Sequence, residues 1–173
     1  MSKGFVHVYT GNGKGKTTAS LGFALRALGH GFSVYMIQFL KGKMNYGELK
    51  ASKRFPDFKI VQYGRAGFAV KGKPTPIDVE LAEKGLQHAK EIVGSGRYNI
   101  VILDEVNVAI YLGLIQLKDI IELIRNKPSN VELVLTGRYA SEEIFELADY
   151  VTQMVEVKHP YKKDVRARLG VEY

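Results

Sequence analysis

The sequence contains neither cysteine nor tryptophan. The missing thiols exclude disulfides, thiolate zinc sites, iron–sulfur ligation and cysteine nucleophiles together. The four histidines, His7, His30, His88 and His159, share no ligand spacing. They read as structural or surface residues, and no Ser/His/Asp arrangement stands out. No uncharged apolar run approaches the roughly 18–20 residues needed to span a bilayer. Met1-Ser2-Lys3-Gly4 leads directly into an alternating segment, without an apolar h-region or small-residue cleavage site. The expectation is a soluble cytoplasmic protein with no membrane partner. Acidic side chains are scarce at the start: residues 1–60 hold two, against ten basic ones.

What is present fits one globular domain spanning residues 1–173. A chain of 173 residues with 46% apolar and 25% charged content buries about two-thirds of its unfolded surface, enough for a core without covalent staples. The formal charge is +7, and its excess sits in the N-terminal third. Residues 101–157 reverse the sign, with four basic and ten acidic side chains. A basic N-terminal third suits a polyanionic partner, whether nucleic acid, a membrane surface or a small phosphate ligand. A plain solvated surface accounts for it equally well.

Strand-like and helix-like patterns alternate along the chain. Residues 5–10 alternate and are rich in aromatic and β-branched types, which predicts a strand. Leu21, Ala24, Leu25 and Leu28 then fall at i, i+3, i+4 and i+7, the apolar stripe of a helix beginning near Thr17. Further strands are predicted at 32–39, 58–63, 99–103, 131–136 and 150–157. Helices are expected at 47–55, at the stripe Val79, Ala82, Leu86, Ala89 and Val93, at Leu117, Ile120, Ile121 and Ile124, and at 141–148. Ser141 is read as the N-cap of the last. Residues 64–76, rich in glycine, proline and basic residues, read as a long loop. The alternation implies a mostly parallel sheet with helices on both faces, a three-layer α/β/α sandwich.

Gly11-Asn12-Gly13-Lys14-Gly15-Lys16-Thr17-Thr18 lies between a predicted strand and an amphipathic helix. Glycines let successive backbone N–H groups converge on one anion, and the helix adds its positive end. Lys16 can reach phosphate oxygens, and Thr17 can offer its hydroxyl to Mg²⁺. The Walker A spacing would need glycine at position 10. That position is Thr10, and the first glycine comes one residue later. The pattern indicates a bound nucleoside triphosphate.

Ile100-Val101-Ile102-Leu103 runs into Asp104-Glu105. In an open α/β sheet ligands lie at the carboxyl ends of strands, so both acids are expected beside the phosphate loop, in reach of Mg²⁺. Adjacent residues on an extended chain face opposite ways. Glu105 is expected to contact the metal and Asp104 to support it. Thr136-Gly137-Arg138 ends another strand, where Arg138 either forks onto phosphate oxygens or is a surface arginine. Gln38 and Lys41 end a third strand at the same crevice.

In order along nearly the whole chain, several stretches resemble the P-loop corrinoid adenosyltransferases, the ATP:cob(I)alamin adenosyltransferases of the CobA/CobO/BtuR type. They are Thr10 to Thr18, Gln38-Phe39-Leu40-Lys41-Gly42, Gly47-Glu48, Val101-Ile102-Leu103-Asp104-Glu105, Thr136-Gly137-Arg138, and Lys158-His159 with Gly170-Val171-Glu172-Tyr173. The resemblance implies a RecA-like P-loop fold, a homodimer, and transfer of the 5′-deoxyadenosyl group of ATP to the Co(I) of a reduced corrinoid, releasing triphosphate. The corrinoid would be cob(I)alamin or cobyrinic acid a,c-diamide. A reductant protein would supply the electrons for Co(I), and no nucleic acid would be involved.

The resemblance further implies a triphosphate seated in reverse on residues 11–18, with Mg²⁺. Lys16, Thr17 and Arg138 would assist departure of the triphosphate, and Lys41 would line the site. Phe68 would lie against the lower face of the corrin; two residues on, where many members carry tryptophan, this chain has Val70. Members often carry an N-terminal extension over the site, whereas nine residues precede Thr10 here. Two other readings of the residues stay open: a RecA-like ATP-hydrolysing nucleic-acid module and a small-molecule kinase.

Overall fold

A computed structural model describes residues 3–42, 46–65, 71–160 and 165–171. The chain order is β1 (Val6–Thr10), α1 (Lys16–Leu28), β2 (Val34–Phe39), α2 (Gly47–Ser52), β3 (Phe58–Tyr63) and α3 (Pro76–Gly94). It continues with β4 (Ile100–Asp104), α4 (Val106–Tyr111), α5 (Leu117–Arg125), β5 (Glu132–Thr136), α6 (Glu142–Leu147) and β6 (Tyr150–Gln153). The strands form one sheet in the order β3-β2-β4-β5-β1-β6, and every pairing is parallel. The α/β sandwich expected from the alternation is present.

The central strands β2, β4 and β5 are buried along their whole length. Both their faces are covered, which is why they read as continuous apolar runs rather than alternating ones. One face packs Ala82, Leu86, Ala89 and Val93 of α3, with residues of α4, α5 and α6, against Ile37, Leu103 and Leu135. The opposite face packs Ala24 and Ala27 of α1 against Met36, Ile102 and Val134. Each fully buried Ile or Leu contributes roughly 1.5–3 kcal/mol over its exposed state.

Helix α3 starts sharply because three local signals coincide. Pro76 stands at its first turn, the Thr75 hydroxyl accepts from the Asp78 amide, and the Asp78 carboxylate accepts from the Thr75 amide. Arg65 Nε adds a 2.6 Å bond to Asp78 Oδ1. This ties the two ends of the loop at 64–76 together. Phe68 and Val70 lie outside the described residues.

The structure departs from the expected pattern at four points. Of the stripe on α1, Ala24 is buried and Leu21 and Leu28 pack against the core, but Leu25 is 57% exposed. Lys16 is buried and bonds the carbonyls of the glycine loop. Helix α4, which the pattern does not indicate, is six residues long, too short to display a helical stripe. Strand β6 ends at Gln153 rather than 157. Ser141 is the N-cap residue of α6 as expected, but its hydroxyl makes no capping bond and is buried without a partner.

Candidate active site

The carboxyl ends of β1, β2, β4 and β5 converge on a cavity of about 600 Å³, lined by residues 12–18, Leu40, Lys41, Tyr46, Glu105, Val108, Leu112, Arg138, Tyr139, His159 and Val171. The phosphate loop connects β1 to α1 and folds tightly on the end of β6. The Gly13 amide donates to Met154 O at 2.8 Å. A Cβ on Gly11 would lie 2.3 Å from that same oxygen, and Gly11 holds φ at +91°. Only glycine meets both demands. Gly15, at φ +113°, then opens α1.

Lys16 is 7% exposed. Its ammonium donates to Gly11 O and Gly13 O, each at 2.7 Å. Burial pulls its pKa below the usual lysine value, with Arg138 acting in the same direction and Glu105 and Asp104 opposing it. The loop thus holds its own lysine in place through two of its carbonyls.

Asp104 is fully buried at the end of β4. Its Oδ1 accepts from the hydroxyls of Thr17 at 2.9 Å and Thr136 at 2.7 Å. Its Oδ2 accepts from Lys41 Nζ at 2.9 Å and Gln38 Nε2 at 3.2 Å. Strand register sets up these bonds, since Gln38 pairs with Asp104 on one side and Gln62 on the other. Gln62 Nε2 donates in turn to Gln38 Oε1. Burial lowers the Lys41 pKa, but Asp104, Glu48 and Glu105 outweigh it and hold it above the usual lysine value. Asp104 therefore ties together the ends of β2, β4 and β5 and the first turn of α1.

Glu105 leaves the strand in a left-handed conformation, φ 61°, and faces the cavity beside Thr17. Its amide donates to Thr136 Oγ1 at 3.0 Å. Burial raises its carboxyl pKa, the neighbouring Asp104 adds to the rise, and Lys41, Lys16 and Arg138 oppose it. Leu40, Glu105 and Tyr139 are the three non-glycine residues with positive φ among the described residues. All three line this one cavity, as strained backbone tends to do at functional sites.

An apolar groove of about 730 Å³ adjoins the cavity at Thr17, Thr18, Lys41 and Glu105. It runs between α1 and α2 past Leu21, Leu25, Leu28, Phe55 and Phe58. Leu25, displaced from the core, faces this groove.

The structure thus brings the expected residues 12–18, Lys41, Glu105 and Arg138 around one cavity, with Asp104 bonded beneath it. Thr136, His159 and Val171, from stretches that carry the resemblance, join the set without having been assigned a place in it, His159 having been read as structural or surface; Tyr139 was not singled out at all. His7 bonds Glu132, and His88 bonds Tyr35 and Tyr63; both are structural. Among the described residues no cluster of three His, Cys, Asp or Glu side chains is placed to hold a metal. No helix there is long and apolar enough to cross a membrane.

A family model described as ATP:corrinoid adenosyltransferase BtuR/CobO/CobP matches residues 2–173. The chain is 38% identical over 173 residues to a corrinoid adenosyltransferase of Sinorhizobium sp, covering 99% of this chain and 81% of that one. It is 35% identical to a corrinoid adenosyltransferase of Pseudomonas aeruginosa, over 99% of this chain and 84% of the relative. A third, from Escherichia coli K12, is 33% identical, over 99% and 86%.

Proposed function

The chain belongs to the ATP:corrinoid adenosyltransferase family, and from that premise we propose that it transfers the 5′-deoxyadenosyl group of ATP to a reduced corrinoid. The Co(I) of the substrate supplies the electron pair for a new cobalt–carbon bond. The C5′–O bond breaks, and its electrons leave with triphosphate. The nucleophile belongs to the substrate, so no serine, cysteine or general base is required of the protein. What the protein must do is align cobalt with C5′ and stabilise charge on the departing triphosphate.

The observation that carries this reading is the cavity itself, in which a glycine loop, Lys16, Lys41, Glu105 and Arg138 face one another. The loop amides other than that of Gly13, together with the Lys16 ammonium, cradle the phosphates, and Lys16 exchanges its loop carbonyls for phosphate oxygens. Arg138, exposed at the rim, forks onto the same chain. Thr17 and Glu105 are the residues that would hold Mg²⁺. Two hard oxygen donors beside a polyphosphate suit an ion that retains several waters. Bound there, Mg²⁺ supplies charge neutralisation on the triphosphate. Asp104, with both oxygens already accepting hydrogen bonds, positions Thr17 and Lys41 rather than ligating.

The remaining parts of the reading rest on the family. The triphosphate is seated in reverse, in keeping with the late first glycine. Phe68 covers the lower face of the corrin. The protein acts as a cytoplasmic homodimer of single-domain chains, with cob(I)alamin or cobyrinic acid a,c-diamide as substrate and a separate reductant protein.

The test is product analysis after incubation with ATP, Mg²⁺ and chemically reduced cobalamin. Light-sensitive adenosylcobalamin with one triphosphate per turnover is expected. ADP without a cobalt–carbon product would overturn the reading, in favour of a kinase if phosphate is transferred or of an ATP-hydrolysing nucleic-acid module if it is released.

A further inference from the structure

Asn107, on the first turn of α4, is completely buried, and neither its amide nitrogen nor its amide oxygen has a hydrogen-bond partner. An amide brings two donors and two acceptor sites into the interior, and leaving them unmet is costly. One further buried side-chain polar atom among the described residues lacks a partner, the hydroxyl of Ser141. Ser141 ends the turn whose first residue, Gly137, packs against Asn107. Residues 137–141 run from the end of β5 to the start of α6, with Arg138 and Tyr139 on the cavity wall.

The turn also carries strain and close contact. Tyr139 is held at φ 65°, a conformation disfavoured for an aromatic residue. Gly137 stands at φ +130°, and a Cβ there would lie 3.1 Å from both Asn107 Cβ and the Val108 amide. The turn thus rests on Asn107 with no intervening side chain. At its base the Glu105 amide is bonded to Thr136, so the segments bearing Glu105 and Arg138 are clasped together. Unmet hydrogen-bonding groups at a strained turn call for partners, and a second arrangement of the segment can supply them.

We propose that Asn107 is a positioning residue for Arg138. When a triphosphate chain draws Arg138 inward, the turn at 137–141 shifts, and the Asn107 amide takes up hydrogen bonds with its backbone and fixes the guanidinium against the phosphates. The proposal rests on the assignment of Arg138 to the triphosphate, and on nothing about the corrinoid.

The test is binding of inorganic tripolyphosphate to the full-length protein by calorimetry, so activity is not the readout. Asn107→Leu keeps the approximate shape and removes the amide. It is expected to match or exceed the wild-type melting temperature, since an unmet buried group is gone, and to bind tripolyphosphate about tenfold more weakly. Arg138→Ala is expected to weaken binding similarly, and the double variant no further, because the two act as one unit. Should Asn107→Leu fail to fold, Asn107→Ala is judged by the same criteria. An Asn107 that merely harbours a buried water leaves affinity within twofold of wild type in both variants, and that result overturns the proposal. Losses that multiply in the double variant overturn it as well. Wild-type protein that does not bind tripolyphosphate overturns the phosphate assignment, and the proposal falls with it.

Discussion

Thr17 Oγ1 donates to Asp104 Oδ1 at 2.9 Å, joining the first turn of α1 to the last residue of β4. The hydroxyl that closes the phosphate loop is oriented by the carboxylate beneath it, and its lone pairs stay turned to the cavity. Thr17→Ala is expected to lower kcat/KM for adenosyl transfer about a hundredfold, in the range for losing one preorganised contact to a charged leaving group. Thr17→Ser should retain most activity. Equal losses in both would show that the methyl group, not the hydroxyl, matters.

The Lys41–Asp104 pair predicts a stability effect. Asp104 is fully buried, and Lys41 is one of four donors to it. Asp104→Asn leaves the ammonium with Glu48, at 3.6 Å, as its nearest acidic partner. Loss of about 3 kcal/mol is expected in urea unfolding. Combining Asp104→Asn with Lys41→Met should recover part of it, since the ammonium that lost its main partner is then gone.

The loop base predicts a dependence on pH. Burial pushes the Asp78 carboxyl up, but hydrogen bonds from Arg65 and Thr75 and the Arg65 charge outweigh it, and its pKa sits below the usual aspartate value. A carboxylate whose folded pKa lies under its unfolded value of about 3.9 contributes fully above that value and loses its contribution as pH falls through the folded pKa. The stability gap between wild type and Asp78→Asn should therefore be widest from about pH 5 upward and close at lower pH. Urea unfolding across a pH series checks this. A gap independent of pH would assign the cap to shape rather than charge.

Two glycines near one another in sequence should respond in opposite ways. Gly22 is exposed on α1, and a Cβ there meets nothing within 4 Å. Gly22→Ala is expected to stabilise the protein by about 1 kcal/mol through helix propensity. Gly11→Ala drives a Cβ into Met154 O and strains a positive φ, so it should lower the melting temperature and abolish nucleotide binding.

Strands and loop were legible because their causes are local. Val101 to Leu103 are apolar on both faces, and Gly11 to Thr18 place glycine, lysine and threonine at one strand–helix junction. What escaped the pattern depends on the fold. Leu25 sits at a helical spacing that fits the core, yet it lines the groove beside α2, a neighbour that periodicity does not register. Helix α4 is hidden because six residues are too few to display a helical stripe. Thr136 and Asn107 join the site from the ends of elements whose adjacency is decided by strand order, with β5 placed between β4 and β1. Asp104 and Glu105 were expected beside the loop, but their different surroundings follow from the backbone turn at Glu105, φ 61°, which strand alternation does not describe.

The segments leaving β2 and β3 cross at Gly42 and Gly64, where a Cβ on the first would fall 1.7 Å from the carbonyl oxygen of the second, and a Cβ on the second 2.5 Å from Leu40 C. Two bare backbones in contact leave no side chain to act as a cushion or bearing. Lys41 rides on one of these segments and Arg65 on the other. A side chain at either glycine would force the two segments apart, and Lys41, one residue before Gly42, would be drawn off Asp104 with them.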